Sequence, residues 1–394
     1  MEKNQMVLEI PYGTRDFLPK EAAAKRLVEQ KLAGLFAAWG YEEVVTPTVE
    51  YLDTLTMGNG RALEPHMFKL FDRGNRTLAL HHEMTTPIAR LAASRLKEAA
   101  MPLKLSYISS VFRYEQTQTG RQCEFYQAGV ELMGQAAATA DAEVLALAME
   151  GLQAAGLKEF SLCLGQVEFV AGIMEQNGLS EEMQENLKSA MERHDIVGLE
   201  ELVDSLNLQK SAADGLKEIP LLHGDEAVLQ RAYAMALNER SRRALDNLSE
   251  IYRLLKSYGL VSHVTFDLGM IRDFNYYTGM VFEAYTPGLG FPLCGGGRYD
   301  HMLSDFGMAC PATGFAVGIE RVLLAMERQK LEQPMAAKDI YLGYAPQNME
   351  EAIQKAMELR RQGKVVELAL AAQSEAEAEA AQREKGYDRL EYLP

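Results

Sequence analysis

The segment from Leu103 to Met133 constrains this chain most, because three strand-like stretches follow one another too closely for a helix to intervene. Leu103 to Ile108, Val111 to Glu115 and Gln122 to Met133 are rich in β-branched and aromatic residues, and only the polar loop Gln116 to Arg121 separates the last two. A parallel return needs a crossover of a dozen or more residues, so these strands must pair antiparallel. Upstream, apolar spacing predicts a helix over Glu21 to Gly40, with a strand over Glu43 to Thr46 closed by Pro47. Met67 to Phe71 and Thr77 to Leu80 flank the turn Asp72-Arg73-Gly74-Asn75 as a hairpin, and Pro87 opens a helix that continues to Ala99.

Beyond Glu143 the texture becomes helical, and about Val167 to Tyr258 is acidic, Leu-rich and nearly free of strand signals, as an inserted helical lobe would be. Val264 to Asp267, Asn275 to Ala284 and Gly314 to Ile319 are further strands, the last running into a helix over Glu320 to Gln329. We therefore expect an α+β core over residues 1–332 with its insertion at about 167–258. A linker and a small α/β unit follow over 333–394, built from Asp339 to Tyr344, a helix over Met349 to Gln362, Val365 to Leu370 and an Ala/Glu-rich helix. A length of 394 residues accommodates two or three domains.

Forty Lys and Arg stand against fifty-six Asp and Glu, and the resulting net charge of −16 repels polyphosphates unless cations are concentrated locally. Cys123, Cys163, Cys294 and Cys310 form no C-x-x-C pair and fit reduced thiols. No spacing among the seven histidines suits a metal, and adjacent His81 and His82 point apart if extended, so neither metal nor cofactor is expected. The polar N-terminus resembles no signal peptide, and no apolar run reaches about 18 residues. A cytoplasmic chain without a membrane partner is the expectation.

Side chains alternate along a strand, so Phe125, Gln127, Gly129 and Glu131 share one face: an aromatic, an amide and a carboxylate around a glycine gap that a ligand or another backbone could approach. Arg113 adds a planar cation suited to carboxylate or phosphate. A solvated face with one Arg/Glu pair is the plainer alternative on residues alone. Tyr277 stands beside a second gap at Gly279, close to Arg272 and Asp273, although on residues alone a core tyrosine with a satisfied hydroxyl is the better explanation. Gly295-Gly296-Gly297 permits left-handed backbone and close approach, and Arg321 in the first turn of a helix makes an anion seat. Neither G-x-x-x-x-G-K-[ST] nor G-x-G-x-x-G is present.

Taken in order, Gly13-Thr14-Arg15-Asp16-Phe17-Leu18-Pro19, Gly40-Tyr41 with Thr46-Pro47, Phe112-Arg113-Tyr114-Glu115, Tyr276-Tyr277, Gly295 to Asp300 and Gly314 to Arg321 resemble histidyl-tRNA synthetase over about residues 11 to 330. The resemblance implies a class II aminoacyl-tRNA synthetase-like fold, an antiparallel sheet flanked by helices, and a homodimer through this core. It further implies that Glu83, Thr85, Gln127 and Glu131 hold the amino group and ring of L-histidine, with Tyr277 and its neighbour Tyr276 at the imidazole and Arg272 at the carboxylate. Arg113, Arg121 and Arg321 would match arginines facing ATP, and Phe125 the ring under adenine.

Departures from that pattern redirect the function. Asp273 follows Arg272 where the synthetase has glycine, and this carboxylate would compete with a bound anion. Gln116 and Cys123 replace arginines, and His81-His82 replace Arg-Pro before Glu83. From Ala336 to Pro394 there are 59 residues, eight basic and eleven acidic, where the synthetase carries an anticodon-binding domain of about a hundred. Such a tail is short and poor in charge for tRNA. The combination is similar to the regulatory subunits of ATP phosphoribosyltransferase, which assemble with a short-form catalytic subunit in the first step of histidine biosynthesis. The resemblance implies no catalysis by this chain, a need for it in the partner's activity, and histidine feedback. The alternatives are a working histidyl-tRNA synthetase, or a ligase or acceptor for another amino acid.

Overall fold

The computed structural model describes residues 8–57, 63–114, 122–271, 277–331 and 337–394. The chain divides into two compact units, one built from the chain up to Leu18 and from Lys25 to Gln333, the other from Pro19–Ala24 and Pro334–Pro394. In chain order the larger unit contains helix α1 (Pro19–Ala38, whose first residues belong to the other unit), strands β1 (Glu42–Glu43), β2 (Val49–Tyr51), β3 (Lys69–Phe71) and β4 (Thr77–Leu80), and helix α2 (Thr85–Arg95). There follow β5 (Leu103–Phe112), β6 (Glu124–Met133), α3 (Ala138–Ala155) and β7 (Ser161–Gln166). The inserted lobe is α4 (Val167–Gln176), α5 (Glu181–Glu192), α6 (Ile196–Ser205), α7 (Lys210–Glu218), the two-residue β8 (His223–Gly224), α8 (Ala227–Met235) and α9 (Glu239–Tyr258). Then come β9 (Val264–Asp267), β10 (Met280–Tyr285), β11 (Cys294–Arg298), β12 (Ala312–Gly318) and α10 (Ile319–Arg328).

These strands form a nine-stranded sheet in the order β1-β5-β6-β12-β11-β10-β7-β9-β8. Its centre is antiparallel, as the short connections require, with parallel pairing only for β1 with β5 and β7 with β9. One face is covered by helices: Val28, Leu32 and Phe36 of α1 are buried, and Phe36 meets Phe315 edge-on at 5.9 Å. The α3 helix is buried almost throughout, so its Ala-rich sequence reads as close packing. The opposite face carries a second core, with Leu103, Leu105, Tyr107 and Val111 of β5 against Met84, Ile88, Ala89 and Ala92 around α2.

Several expectations are corrected here. Leu103 to Ile108 and Val111 to Glu115 are one ten-residue strand, because β6 continues the ladder through Ser109 and Ser110. The strand over Glu43 to Thr46 shrinks to Glu42–Glu43, after which only the Val44 amide still bonds, to the Ser106 carbonyl. Gly295 to Gly297 does not use the left-handed backbone open to it: it is strand β11 at the centre of the sheet, where the expected close approach is present because Gly296, lacking a side chain, can lie against the Gly314 carbonyl. The strand expected from Asn275 begins at Met280; Arg272 to Tyr276 lie outside the described residues, as do the Gln116 to Arg121 loop and most of the linker. The hairpin β3–β4 is present and gains β2 as a third strand.

The second unit holds β13 (Ile340–Tyr344), α11 (Met349–Arg361), β14 (Val366–Leu368), α12 (Glu375–Lys385) and β15 (Arg389–Leu393), with a parallel sheet in the order β14-β13-β15. Ser374 and Glu377 form a capping box at the start of α12, and Gly386, with φ of 71°, ends it. Of α12, Ala378 alone is buried, so its Glu/Ala run is a solvated face.

Candidate functional site

Strand β6 sits between β5 and β12, so the face that carries Phe125, Gln127, Gly129 and Glu131 has neighbours on both sides. Glu131 lies across from Leu105 and Gly314, Gly129 from Tyr107 and Ala316, and Gln127 from Ser109 and Gly318. One strand further, Gly297 and Gly295 lie across from Gly314 and Ala316. The floor beside β6 is therefore made of small residues, and larger side chains from flanking elements stand over it.

Glu131 is buried, and its carboxyl receives hydrogen bonds from the Thr85 hydroxyl at 2.8 Å and from the Tyr299 hydroxyl. Burial pushes this acid up to about 8 and neighbouring Glu83 pushes the same way, while the two hydroxyl donors oppose them. Gly314 makes the seat possible, since a Cβ there would stand 2.2 Å from Glu131 Oε2. Glu83 precedes α2 and accepts the Thr85 and Thr86 amides at 2.6 and 2.9 Å, so it holds the helix N-terminus that presents Thr85.

The gap at Gly129 is not open. The Tyr107 ring fills it, its hydroxyl 2.5 Å from where a Cβ would stand, with the Phe315 carbonyl 2.3 Å from the same point. The gap at Gly279 is likewise occupied, by the Arg298 side chain. Tyr277 does enter the site: its ring lies on Gly297, 2.8 Å from a Cβ position there, and packs with Phe125 against the α2–β5 core. Gln127 stands half-buried on the same face, and its amide has no hydrogen-bond partner among the described residues. Glu83, Thr85, Gln127, Glu131 and Tyr277 are thus drawn to one cleft. Arg272, Tyr276 and Arg121 lie outside the described residues.

At the β5 end of this cleft Arg113 donates through Nε to the His82 carbonyl at 2.9 Å and lies 5.5 Å from the Phe125 ring centre. His81 and His82 are both buried, and His81 Nε2 meets the Ser110 carbonyl at 2.6 Å. Burial holds His82 below the usual histidine range and Arg113 adds to this, against the pull of Glu83, so the ring is neutral at pH 7. The histidine pair thus seats the end of β5 and gives Arg113 an anchor. Arg321, in the first turn of α10, donates to the Pro292 carbonyl at 2.7 Å and lies over Phe291 at 5.2 Å. Sequence reasoning missed Tyr107 and the role of Tyr299, because both are defined by partners on other strands; a tyrosine facing a glycine across a ladder is the signal that would have found Tyr107.

A separate cavity of about 540 Å³ lies between α4, α9 and the segment Thr278–Gly279. Its arginines are matched to carboxylates, Arg240 to Glu168 and Glu175, Arg243 to Glu239 and Arg298 to Asp141. No group of His, Cys, Asp and Glu that could hold a metal occurs among the described residues, and no helix there is long and apolar enough to cross a membrane.

A helix-flanked antiparallel sheet with an acid-lined cleft over a floor of small residues is the arrangement of a class II aminoacyl-tRNA synthetase-like protein. Residues 13–322 match the family model of histidyl-tRNA synthetase. Over 390 residues, 99% of each chain, the protein is 42% identical to an ATP phosphoribosyltransferase regulatory subunit of Moorella thermoacetica, and it belongs to that family of regulatory subunits. A relative of the same name from Desulforamulus reducens is 42% identical over 97% of this chain and 94% of its own. Among solved structures, an ATP phosphoribosyltransferase regulatory subunit/histidyl-tRNA synthetase from Bacillus halodurans C superposes with a TM-score of 0.88 at 36% identity, covering 98% of each chain. Histidyl-tRNA synthetase from Nostoc sp. PCC 7120 shares the fold at a TM-score of 0.85, 18% identity and coverage of 97% and 90%.

Proposed function

We propose that this chain is a non-catalytic regulatory subunit that binds L-histidine in the cleft and assembles with a short-form ATP phosphoribosyltransferase catalytic subunit. The partner requires it for full activity, and histidine held here contributes to feedback inhibition of the first step of histidine biosynthesis. One observation carries this reading: a chain matching a regulatory subunit over 99% of its length keeps the wall of Glu83, Thr85, Glu131 and Tyr299 hydrogen-bonded into one unit. Two carboxyls facing one space suit a ligand ammonium. In this reading Gln127, Tyr276 and Tyr277 complete the recognition of amino group and imidazole, and Arg272 takes the carboxylate. Arg113, Arg121, Phe125 and Arg321 remain as a vestigial nucleotide or anion site, a role supported by the attachment of Arg113 and Arg321 to main-chain carbonyls.

Residues 1–332 are the histidine-binding core, and 333–394 a linker with a small unit that takes no tRNA. The complex has two states whose histidine affinities differ, and a coupling of about 1–3 kcal/mol corresponds to roughly 5- to 150-fold. Self-association runs through the core, where Val45, Tyr51 and Phe71 are exposed apolar side chains.

Calorimetry on the purified chain should give saturable heat with L-histidine and none with a panel of other amino acids, and the chain should co-purify with a short catalytic chain and raise its rate. Absence of both binding and association would overturn the proposal. Retention of Arg113 and Arg321 favours a second reading, histidyl-tRNA synthetase. Histidine-dependent pyrophosphate exchange followed by tRNA charging would establish it; we expect neither.

A further inference from the structure

Helix α11 of the second unit is buried along one side only. Ala352 and Ala356 turn into that unit's core with Leu359 beside them, Lys355 reaches Glu391 of β15 at 2.8 Å, and Arg360 donates to the Val366 carbonyl of β14. Residues four apart share a helix face, so Met349, Ile353 and Met357 form a row along the side left over, where they are 48%, 46% and 44% exposed. Apolar side chains scattered singly over a surface need no explanation, but three in one line make a patch. A domain of about 60 residues buries only about 60% of the surface its unfolded chain exposes, so in a unit as small as this one covering the row matters.

The spacing of the row and the charges beside it point to its occupant. Met-x-x-x-Ile-x-x-x-Met reads the same in both directions about Ile353. A two-fold, antiparallel meeting of two such helices sets Ile353 on its own copy and Met349 on Met357 of the second copy, the self-complementarity that an isologous contact demands. Glu350 and Arg361, about three turns apart, fall on one flank of the row. Both are exposed and have no hydrogen-bond or ion-pair partner among the described residues. In the antiparallel pair each Glu350 lies toward the other copy's Arg361 and the helix dipoles oppose, whereas a parallel pair would set Glu350 on Glu350. Strand addition beside the row is blocked, because β14 is the edge strand and Arg360 already occupies its Val366 carbonyl.

We propose that α11 packs antiparallel on α11 of a second copy of this chain through Met349, Ile353 and Met357. Three side chains bury far less than the about 1,000 Å² of a stable interface, so the contact is weak alone, and the dimer proposed above for the core supplies the local concentration that fills it. The inference thus rests on that self-association and is independent of histidine binding.

The test is mild oxidation of the full chain carrying Ile353→Cys. Packed helices lie about 8–10 Å apart, so two cysteines on the two-fold axis meet within disulfide reach, whereas two at position 349 stand about 12 Å apart along the helices. Ile353→Cys should give a disulfide-linked dimer above the baseline of the unaltered chain, whose own cysteines are buried or half-buried. Met349→Cys and Met357→Cys should each give none alone and a linked dimer once mixed and exchanged. Leu370→Cys, fully exposed but off the row, should give none. Glu350→Arg should lower the Ile353→Cys yield by roughly two- to fivefold, and adding Arg361→Glu should restore it. Equal linkage at 349, 353 and 370 would mean chance collision and overturn the proposal. It also falls if the Ile353→Cys thiol is shielded from a maleimide only when a catalytic chain is added, because that chain then covers the row. No link in a sample that sediments as a dimer overturns the helix contact and leaves the core self-association standing; no link in a sample that sediments as a monomer overturns both.

Discussion

Gly314 lies directly across the β6–β12 ladder from Glu131, and the Glu131 carboxyl occupies the space that a side chain at 314 would fill. A Cβ would meet both the movable Oε2 at 2.2 Å and the immovable Val130 carbonyl at 2.4 Å. Gly314→Ala should therefore cost about 1–3 kcal/mol or more by overpacking and should expel Glu131 from its hydroxyl partners. Gly34, exposed within α1 with nothing within 4 Å of its Cβ position, gives the opposite sign: Gly34→Ala should stabilise by up to about 1 kcal/mol. Urea unfolding of both variants measures the contrast.

Glu131 ties stability to pH. Its carboxyl is raised from an ordinary 4.5 to about 8 in the folded chain, so the native state binds the extra proton between these values. The contribution is fully present below pH 4.5 and is lost as pH rises through about 8, with a slope of up to about 1.4 kcal/mol per pH unit. Glu131→Gln removes this titration. The variant should gain stability relative to the unaltered chain as pH is raised from 5 to 8, measured by unfolding at several pH values; parallel curves would refute the assignment.

Ligand binding should release protons. At pH 7 the carboxyl of the free chain is largely neutral, whereas a ligand ammonium beside it favours the carboxylate. Histidine affinity should accordingly rise between pH 6 and 8. Calorimetric heats at pH 7 should vary with the ionisation enthalpy of the buffer, and identical heats in phosphate and Tris would contradict the linkage.

Arg298 ends β11 in a buried pair with Asp141 at 2.8 Å, and its other partners are Asp300 at 3.1 Å and the Gln135 carbonyl. Removing one member of such a pair leaves an uncompensated charge. Asp141→Ala should lower stability by about 3–5 kcal/mol in denaturant unfolding, and a loss below about 1 kcal/mol would mean that Asp300 suffices.

The exposed face around β2 and β3 should mediate self-association. Tyr51 and Phe71 are exposed there, while Glu50 points inward to Arg90 at 2.6 Å. Phe71→Glu should shift the sedimentation profile toward monomer without changing the melting temperature of that monomer. An unchanged dimer fraction would place the contact elsewhere.

Much of this was legible from residue order. Alternation along β6 put Phe125, Gln127 and Glu131 on one face, and that phase holds because a strand's side-chain period is a local property. The ordered motifs, Tyr277 among them, carried the resemblance that pointed to Thr85 and Glu131, which meet in the cleft. Two glycines misled for one physical reason. Gly129 and Gly279 read as gaps, but a missing side chain only creates space, and what fills it, the Tyr107 ring and the Arg298 side chain, depends on other strands; the close backbone approach expected at Gly296 is present.

By itself the sequence determined which segments form strands and helices, which faces they bury, and that the central strands run antiparallel, because propensity, alternation and loop length act over a few residues. Tertiary structure alone decided that Tyr107 lies over Gly129, that Gly314 makes room for Glu131, and that Arg298 meets Asp141. Those pairings depend on register between strands and on helices brought together from afar. A one-residue slip would turn every side chain to the other face, so only the packed core could select among them.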